Sequence, residues 1–271
     1  METYTATVLV NAGAELGEGP VWDEANQRLL WVDILAGHIH ASTPDGDDQI
    51  IWEADSPVGC IAARADGSWI VAERDRLTAV WDWSRREELV ALPIDEDVRT
   101  NDGKLDPAGR MIVGTMQMDA EPNRGQLFSW DGGGLRTLIQ PVTISNGLGW
   151  TADSRTMYYI DTPTQQVAAY DYDVATGDVS ARRVVAEIDP VDGHPDGMCV
   201  GPDGDLWVAL WGGYAVRRFR PDGTHVGDVG VDAHNVSCCV FGGDTLWITT
   251  ARVDSPKRPR DGALFGFPLR N

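Results

Sequence analysis

A short apolar strand recurs six times along the chain, each time after a polar turn. The copies are rich in β-branched and aromatic residues, and they begin at Arg28, Ser68, Arg110, Thr156, Asp205 and Thr245. Their starts are 40, 42, 46, 49 and 40 residues apart, a period typical of propeller blades. Turn sequences such as Asp106-Pro-Ala-Gly precede them and supply the residues that tight hairpins need. The pattern predicts six equivalent β-units.

Each unit extends into a small antiparallel sheet, since a second apolar strand follows every copy and a more polar strand follows most of those. The sixth unit ends soon after Ala263-Leu-Phe-Gly-Phe and lacks an outermost strand, whereas the N-terminal segment Thr3-Tyr-Thr-Ala-Thr-Val-Leu-Val has no unit of its own. We expect this segment to complete the last blade and close the ring, which leaves no long unpaired edge. The predicted fold is all-β: a six-bladed β-propeller closed by the N-terminal strand, forming a single domain over residues 1–271.

Composition narrows the possible partners. The chain carries a formal net charge of −20 with 42% hydrophobic residues, a globular profile whose acidity disfavours nucleic acid and anionic membranes. No apolar stretch approaches the ~18 residues of a membrane span, and the N-terminal segment lacks the features of a signal peptide. We therefore expect a cytoplasmic protein with a small-molecule substrate. We also expect a monomer, because a closed propeller needs no partner for stability. We also expect buried thiols in a reducing compartment at Cys60, Cys199, Cys238 and Cys239.

The segment before each hairpin is the predicted innermost strand, and its start should lie at one mouth of the central channel. The six starting residues are Glu18, Val58, Asn101, Asn146, Asp196 and Val236. Two carboxylates and two amides at one phase of the repeat form an oxygen-donor set suited to a hard cation. Without a cation, the two carboxylates would repel each other in a partly desolvated place. Each Asn-Gly or Asp-Gly taken singly is also an ordinary turn dipeptide, but four at equivalent positions favour a metal site.

Longer motifs surround these residues. They include Gly17-Glu-Gly-Pro-Val-Trp-Asp, Asn101-Asp-Gly-Lys-Leu-Asp-Pro, Ser145-Asn-Gly-Leu and Pro195-Asp-Gly-Met. In these motifs the chain resembles the SMP-30/gluconolactonase/LRE (regucalcin-like) family, of the bacterial sugar-lactonase type, from about residue 14 to the C-terminus. The resemblance implies a six-bladed propeller with one divalent metal ion, held by Glu18, Asn146 and Asp196.

The resemblance also implies a substrate site. Arg99 and Asn101 match the residues that hold the sugar lactone in the family. An acidic residue on the loop after the Gly-Thr-Met strand matches Asp119, with Glu121 as the competing candidate. His194 matches no family ligand, and we expect it in a solvent-facing loop.

These residues predict the hydrolysis of a sugar lactone, an aldonolactone such as gluconolactone, with one divalent ion (Ca, Zn, Mn, Mg or Fe). The ion would stabilise the oxyanion of ester hydrolysis, and Asp196 would also act as general base toward the attacking water. Arg99 and Asn101 would position the sugar. Two alternatives stay open: a non-catalytic calcium-binding propeller of regucalcin type, and a hydrolase of aryl esters or organophosphates with an apolar mouth.

Overall fold

Six small sheets surround a central axis, and they are built from strands in chain order. The computed structural model describes residues 2–269 and begins with β1 (Glu2–Thr5) and β2 (Thr7–Val10). Blade 1 consists of β3 (Gly17–Asp23), β4 (Arg28–Asp33), β5 (His38–Ser42) and β6 (Asp48–Glu53). Blade 2 consists of β7 (Val58–Ala63), β8 (Trp69–Glu73), β9 (Arg76–Trp81) and β10 (Arg85–Ala91). Blade 3 consists of β11 (Val98–Leu105), β12 (Met111–Gln117), β13 (Gly125–Trp130) and β14 (Leu135–Val142).

The second half of the chain continues the same arrangement. Blade 4 consists of β15 (Ser145–Trp150), β16 (Thr156–Asp161), β17 (Gln166–Asp173) and β18 (Asp178–Glu187). Blade 5 consists of β19 (His194–Val200), β20 (Leu206–Trp211), β21 (Ala215–Phe219) and β22 (His225–Gly230). Blade 6 contains β23 (Asn235–Gly242), β24 (Thr245–Ala251) and β25 (Leu264–Pro268). Two short 3-10 turns lie at Thr162–Thr164 and Pro190–Asp192. The first strands of neighbouring blades pack side by side, from β3 through β23 and back to β3, which confirms the predicted six-bladed propeller.

The hairpin between the first and second strands of each blade contains one residue in the left-handed region. These residues have φ between 51° and 86° and are Gln27, Gly67, Gly109, Ser154, Gly204 and Gly243. Glycine adopts this conformation without steric cost, and four of the six positions use it. The turn chemistry predicted from the sequence is therefore present at the same place in each blade.

The N-terminal segment closes the ring, but it is divided between two blades. β2 pairs antiparallel with β25 and supplies the fourth strand of blade 6, as expected. β1 instead pairs in parallel with β22 and adds a fifth strand to blade 5. Ala6 lies between them, where it is buried and donates its N–H to Gly230 O at 2.9 Å. The prediction that the whole segment from Thr3 pairs into the last blade was therefore wrong for residues 3–5.

Apolar packing between blades forms the core. Among the described residues there are six apolar clusters, one in each interface between neighbouring blades. The second strand β12 is buried along its whole length, whereas the outermost strands β10 and β18 are largely exposed. The four cysteines are buried and free, as expected. Across residues 2–269, no helix has the length and apolar character needed to cross a bilayer.

Candidate active site

The first strands of the blades begin at the same end of the channel, and each carries an irregularity there. The ladder to the second strand shifts register between Glu18 and Val21, between Thr100 and Gly103, between Ser145 and Leu148, and between Pro195 and Met198. A β-bulge turns a side chain away from the regular alternation and is common beside active sites. At these bulges lie Glu18, Asn101, Asn146 and Asp196, so the four predicted oxygen-bearing residues share one structural position. We call this end of the channel the mouth.

Glu18 and Asp196 are buried at the mouth, with 4% and 5% of their surface exposed. Burial, followed by the nearby charge of Asp102, raises the pKa of Glu18 to about 8. Burial and then the charge of Glu18 raise the pKa of Asp196 well above its usual range. Among residues 2–269, neither carboxylate has an ion-pair partner within 4.0 Å. Two buried acids without a bonded counter-ion are costly to ionise.

Hydrogen bonds link Arg99 and Asn101 to Asn146. Arg99 Nη1 donates to Asn101 Oδ1 at 2.7 Å and to Thr100 O at 2.9 Å. Asn101 Nδ2 in turn donates to Ser145 O at 2.9 Å and to Asn146 Oδ1 at 3.2 Å. The charges of Glu18 and Asp196 act on Arg99, but burial outweighs them and lowers the pKa of its guanidinium to about 10. Arg99 therefore stays protonated at neutral pH and faces both acids.

Two further charged residues lie in the channel, and the sequence reasoning missed both. Asp102 is 2% exposed; its Oδ1 accepts from Gly103 N at 2.7 Å, and its Oδ2 has no hydrogen-bond partner among the described residues. Lys104 Nζ donates to the carbonyls of Leu148 and Met198. Burial raises the pKa of Asp102, and the charge of Lys104 opposes this rise. Asp102 of blade 3 occupies the position at which blades 4 and 5 have Gly147 and Gly197.

The channel charges suit a divalent cation. Three carboxylates and two cationic side chains carry one net negative charge when all are ionised: Glu18, Asp102, Asp196, Arg99 and Lys104. The described residues contain no group of three or more His, Cys, Asp or Glu side chains arranged to hold a metal. The candidate set instead has two carboxylates and the amide oxygen of Asn146, all hard donors. The buried oxygens and the unpartnered Asp102 Oδ2 fit a bound cation.

The remaining predicted site residues lie outside this buried group. Asp119 and Glu121 are exposed on the loop after β12, at the end where β12 pairs with Val98 and Arg99. The carboxylate of Glu121 is in an ion pair with Arg124 at 3.0 Å. His194 is exposed, as expected, but it is the first residue of β19 and hydrogen-bonds to Gln165, so the prediction of a loop was wrong.

Comparison with known proteins identifies the family. The model of the SMP-30/Gluconolactonase/LRE-like region matches residues 16–252. The chain belongs to this family. A family member named pentonolactonase XacC, from Haloferax volcanii, is 37% identical, and the alignment covers 95% of this chain and 89% of the relative. The regucalcin of Danio rerio is 35% identical over 98% of this chain and 94% of its own.

A solved structure of the family has the same fold. The calcium-binding protein regucalcin from Agrobacterium tumefaciens superposes with a TM-score of 0.93 at 26% identity, covering 98% of this chain and 95% of that one. Members of the family thus carry the names of lactone hydrolases and of a calcium-binding protein.

Proposed function

We propose that the chain hydrolyses a sugar lactone with a divalent metal ion held by Glu18, Asn146 and Asp196. The observation that carries the proposal is the burial of two carboxylates, without an ion-pair partner among residues 2–269, beside an arginine–asparagine pair. The relative named as a pentonolactonase supports a small aldonolactone as the substrate. A cation at this place would remove the cost of ionising both acids.

The residues have distinct roles in the proposed reaction. When bound, the cation supplies the positive charge that polarises the lactone carbonyl and stabilises the developing oxyanion. Asp196 takes a proton from the attacking water as general base. Asp196 then returns this proton to the ring oxygen while the ester C–O bond breaks, which gives the open-chain hydroxy acid. Glu18 and Asn146 would bind the cation through their side-chain oxygens. Both side chains are buried, and both lie at bulges of their strands.

Arg99 and Asn101 position the substrate in this proposal. Arg99 uses Nη1 for its bonds to Asn101 and Thr100, and a guanidinium has five N–H donors, so further donors are available for sugar oxygens. Asp119 is the acid that we propose at the substrate, because Glu121 is already paired with Arg124. Polar donors of this kind favour a sugar lactone over an aryl ester.

The test is a proton-release assay over a panel of aldonolactones, with phenyl acetate and an organophosphate ester as comparison substrates. The protein is stripped with a chelator and then given one divalent ion at a time. We expect turnover of lactones only after metal is restored, and loss of turnover in Asp196→Asn. Asp153→Asn, an exposed carboxylate in the turn at the far end of blade 4, is the matched control. Full activity of the stripped protein or of Asp196→Asn would overturn the proposal.

A calcium-binding role without catalysis is the second candidate, favoured by the name of the Agrobacterium structure. The same oxygen donors would hold calcium. Tight calcium binding measured by calorimetry, with no turnover of any lactone under any metal, would select this role instead.

A further inference from the structure

Thr162 is the first residue of the 3-10 turn after β16, and its hydroxyl joins two blades. Thr162 Oγ1 accepts a hydrogen bond from Asn146 Nδ2 at 2.9 Å. The same hydroxyl donates to the carbonyl of Pro195 at 2.8 Å. Asn146 lies on β15 of blade 4, and Pro195 directly precedes Asp196 on β19 of blade 5. One side chain therefore contacts the mouth segments that carry two of the three proposed metal ligands.

The hydroxyl of Thr162 has a single proton, and this proton is used for Pro195 O. Toward Asn146 the hydroxyl can only accept a hydrogen bond. Only the NH2 end of the Asn146 amide can donate one, so the amide has one favoured orientation. Its oxygen then points to the other side, where Asn101 Nδ2 lies 3.2 Å away. A water molecule in place of the hydroxyl would both donate and accept, and would not discriminate between the two ends of the amide.

We propose that Thr162 is a positioning residue that fixes the orientation of the Asn146 amide, so that its oxygen and not its NH2 group is left to bind the cation. The inference rests on the proposed metal site and adds a residue that neither the repeat pattern nor the family motifs single out. An amide rotated by half a turn would present N–H donors to the cation, and these cannot coordinate it. Fixing the amide thus excludes the conformer that cannot bind the cation. The hydrogen bond to Pro195 O also links blade 4 to the segment of blade 5 that carries Asp196.

The first test measures the dissociation constant of Mn²⁺ alone by calorimetry, with no substrate present. Thr162→Val keeps the shape and removes the hydroxyl, and we expect weaker Mn²⁺ binding by about 10- to 100-fold, the usual effect of losing a residue that orients a metal ligand. Thr162→Ser should restore affinity to within about twofold, since it retains the hydroxyl. Thr164→Val is the matched control, because the Thr164 hydroxyl hydrogen-bonds to Asp161 O and to none of the proposed site residues among those described.

The second test separates orientation from general damage. In Asn146→Asp both terminal atoms are oxygens, so orientation no longer matters. We expect Thr162→Val to weaken Mn²⁺ binding strongly in the otherwise unmodified protein and by less than about threefold in the Asn146→Asp background, a coupling that a double-mutant cycle resolves. Thr162→Ala carries the same expectations should Thr162→Val not fold.

The outcomes distinguish the two proposals. If the unmodified protein binds no divalent ion, the metal site itself is wrong. If it binds Mn²⁺ but Thr162→Val binds equally well, the role of Thr162 is wrong and the metal site stands. An equal loss in both backgrounds, or a failure of Thr162→Ser to restore binding, would also overturn the role of Thr162.

Discussion

Asp33 Oδ1 accepts a hydrogen bond from the backbone N–H of Leu16 at 2.9 Å, and its Oδ2 accepts from Glu15 N at 2.8 Å. These two amides lie in the loop that leads into Glu18. The same contact recurs in blade 4, where Asp161 Oδ1 accepts from Ile144 N at 2.9 Å, two residues before Asn146. A carboxylate at the end of the second strand therefore anchors the approach to a proposed metal ligand in two blades.

Replacing Asp33 tests this anchor. In Asp33→Ala the buried N–H of Leu16 loses its acceptor, and an unsatisfied buried donor costs about 1–3 kcal/mol. We expect a loss of this size in the free energy of unfolding, measured with urea, together with weaker binding of Mn²⁺. Asp153→Ala removes a carboxylate that anchors a turn at the far end of blade 4 and should leave metal binding unchanged. Unaltered stability and affinity in Asp33→Ala would show that the contact does not position Glu18.

Removing a channel carboxylate should stabilise the metal-free protein. In addition to burial, the charge of Asp102 raises the pKa of Glu18, and the charge of Glu18 raises the pKa of Asp196. Glu18→Gln removes one of these repelling charges, so at pH 8 and in a chelator we expect a higher melting temperature than that of the unmodified protein. The same substitution should abolish Mn²⁺ binding and lactone hydrolysis. A lower melting temperature with retained metal binding would mean that Glu18 is a structural residue.

The stability of the metal-free protein should fall as pH rises. Glu18 has an ordinary pKa of 4.5 and a folded-state pKa of about 8, so between these values the folded state holds a proton that the unfolded state releases. The unfolding free energy then decreases by up to about 1.4 kcal/mol per pH unit for one such group. Urea titrations at several pH values in a chelator measure this slope. Glu18→Gln should make the unfolding free energy less dependent on pH. An unchanged slope would mean that other titratable groups cause the pH dependence.

The repeat made most of this molecule predictable. A period of 40 to 49 residues predicted the six first strands. Alignment of the repeats predicted that Glu18, Asn146 and Asp196 occupy equivalent positions, and in the structure these positions are bulges. The division of the N-terminal segment was not predictable in the same way, because Thr3 to Val10 forms one continuous β-pattern. The strand breaks at Ala6 because β1 pairs with β22 of blade 5 and β2 pairs with β25 of blade 6.

Other site residues depend on tertiary contacts that a one-dimensional repeat does not encode. Asp102 occupies the position at which blades 4 and 5 have Gly147 and Gly197. In blade 4 a side chain would not fit, because a Cβ at Gly147 would approach Asp196 O to 2.7 Å. Only the packing shows that a side chain fits in blade 3. Thr162 lies on a different element from Asn146, and only the folded chain brings the hydroxyl to the amide.

Lys104 should be required for the integrity of the channel. Its Nζ donates to Leu148 O at 3.0 Å and to Met198 O at 2.5 Å, which lie on the first strands of blades 4 and 5. Burial is the largest single effect and lowers the pKa of Lys104, but Asp102 and the nearby thiols of Cys238, Cys199 and Cys239 together outweigh it. The pKa is therefore raised and the ammonium persists. Lys104→Met leaves the buried Asp102 uncompensated, and we expect a loss on the order of 3 kcal/mol in the free energy of unfolding at pH 8.

The chain provides a matched control and a rescue for this prediction. Lys257, the other lysine of the sequence, is exposed on the loop between β24 and β25, so Lys257→Met should change the unfolding free energy by less than about 0.5 kcal/mol. Adding Asp102→Asn to Lys104→Met removes the uncompensated charge and should recover part of the lost stability, because the two side chains interact electrostatically. If Asp102→Asn and Lys104→Met have strictly additive effects, the two residues do not compensate each other, and Lys104 acts only through the two carbonyls that it binds.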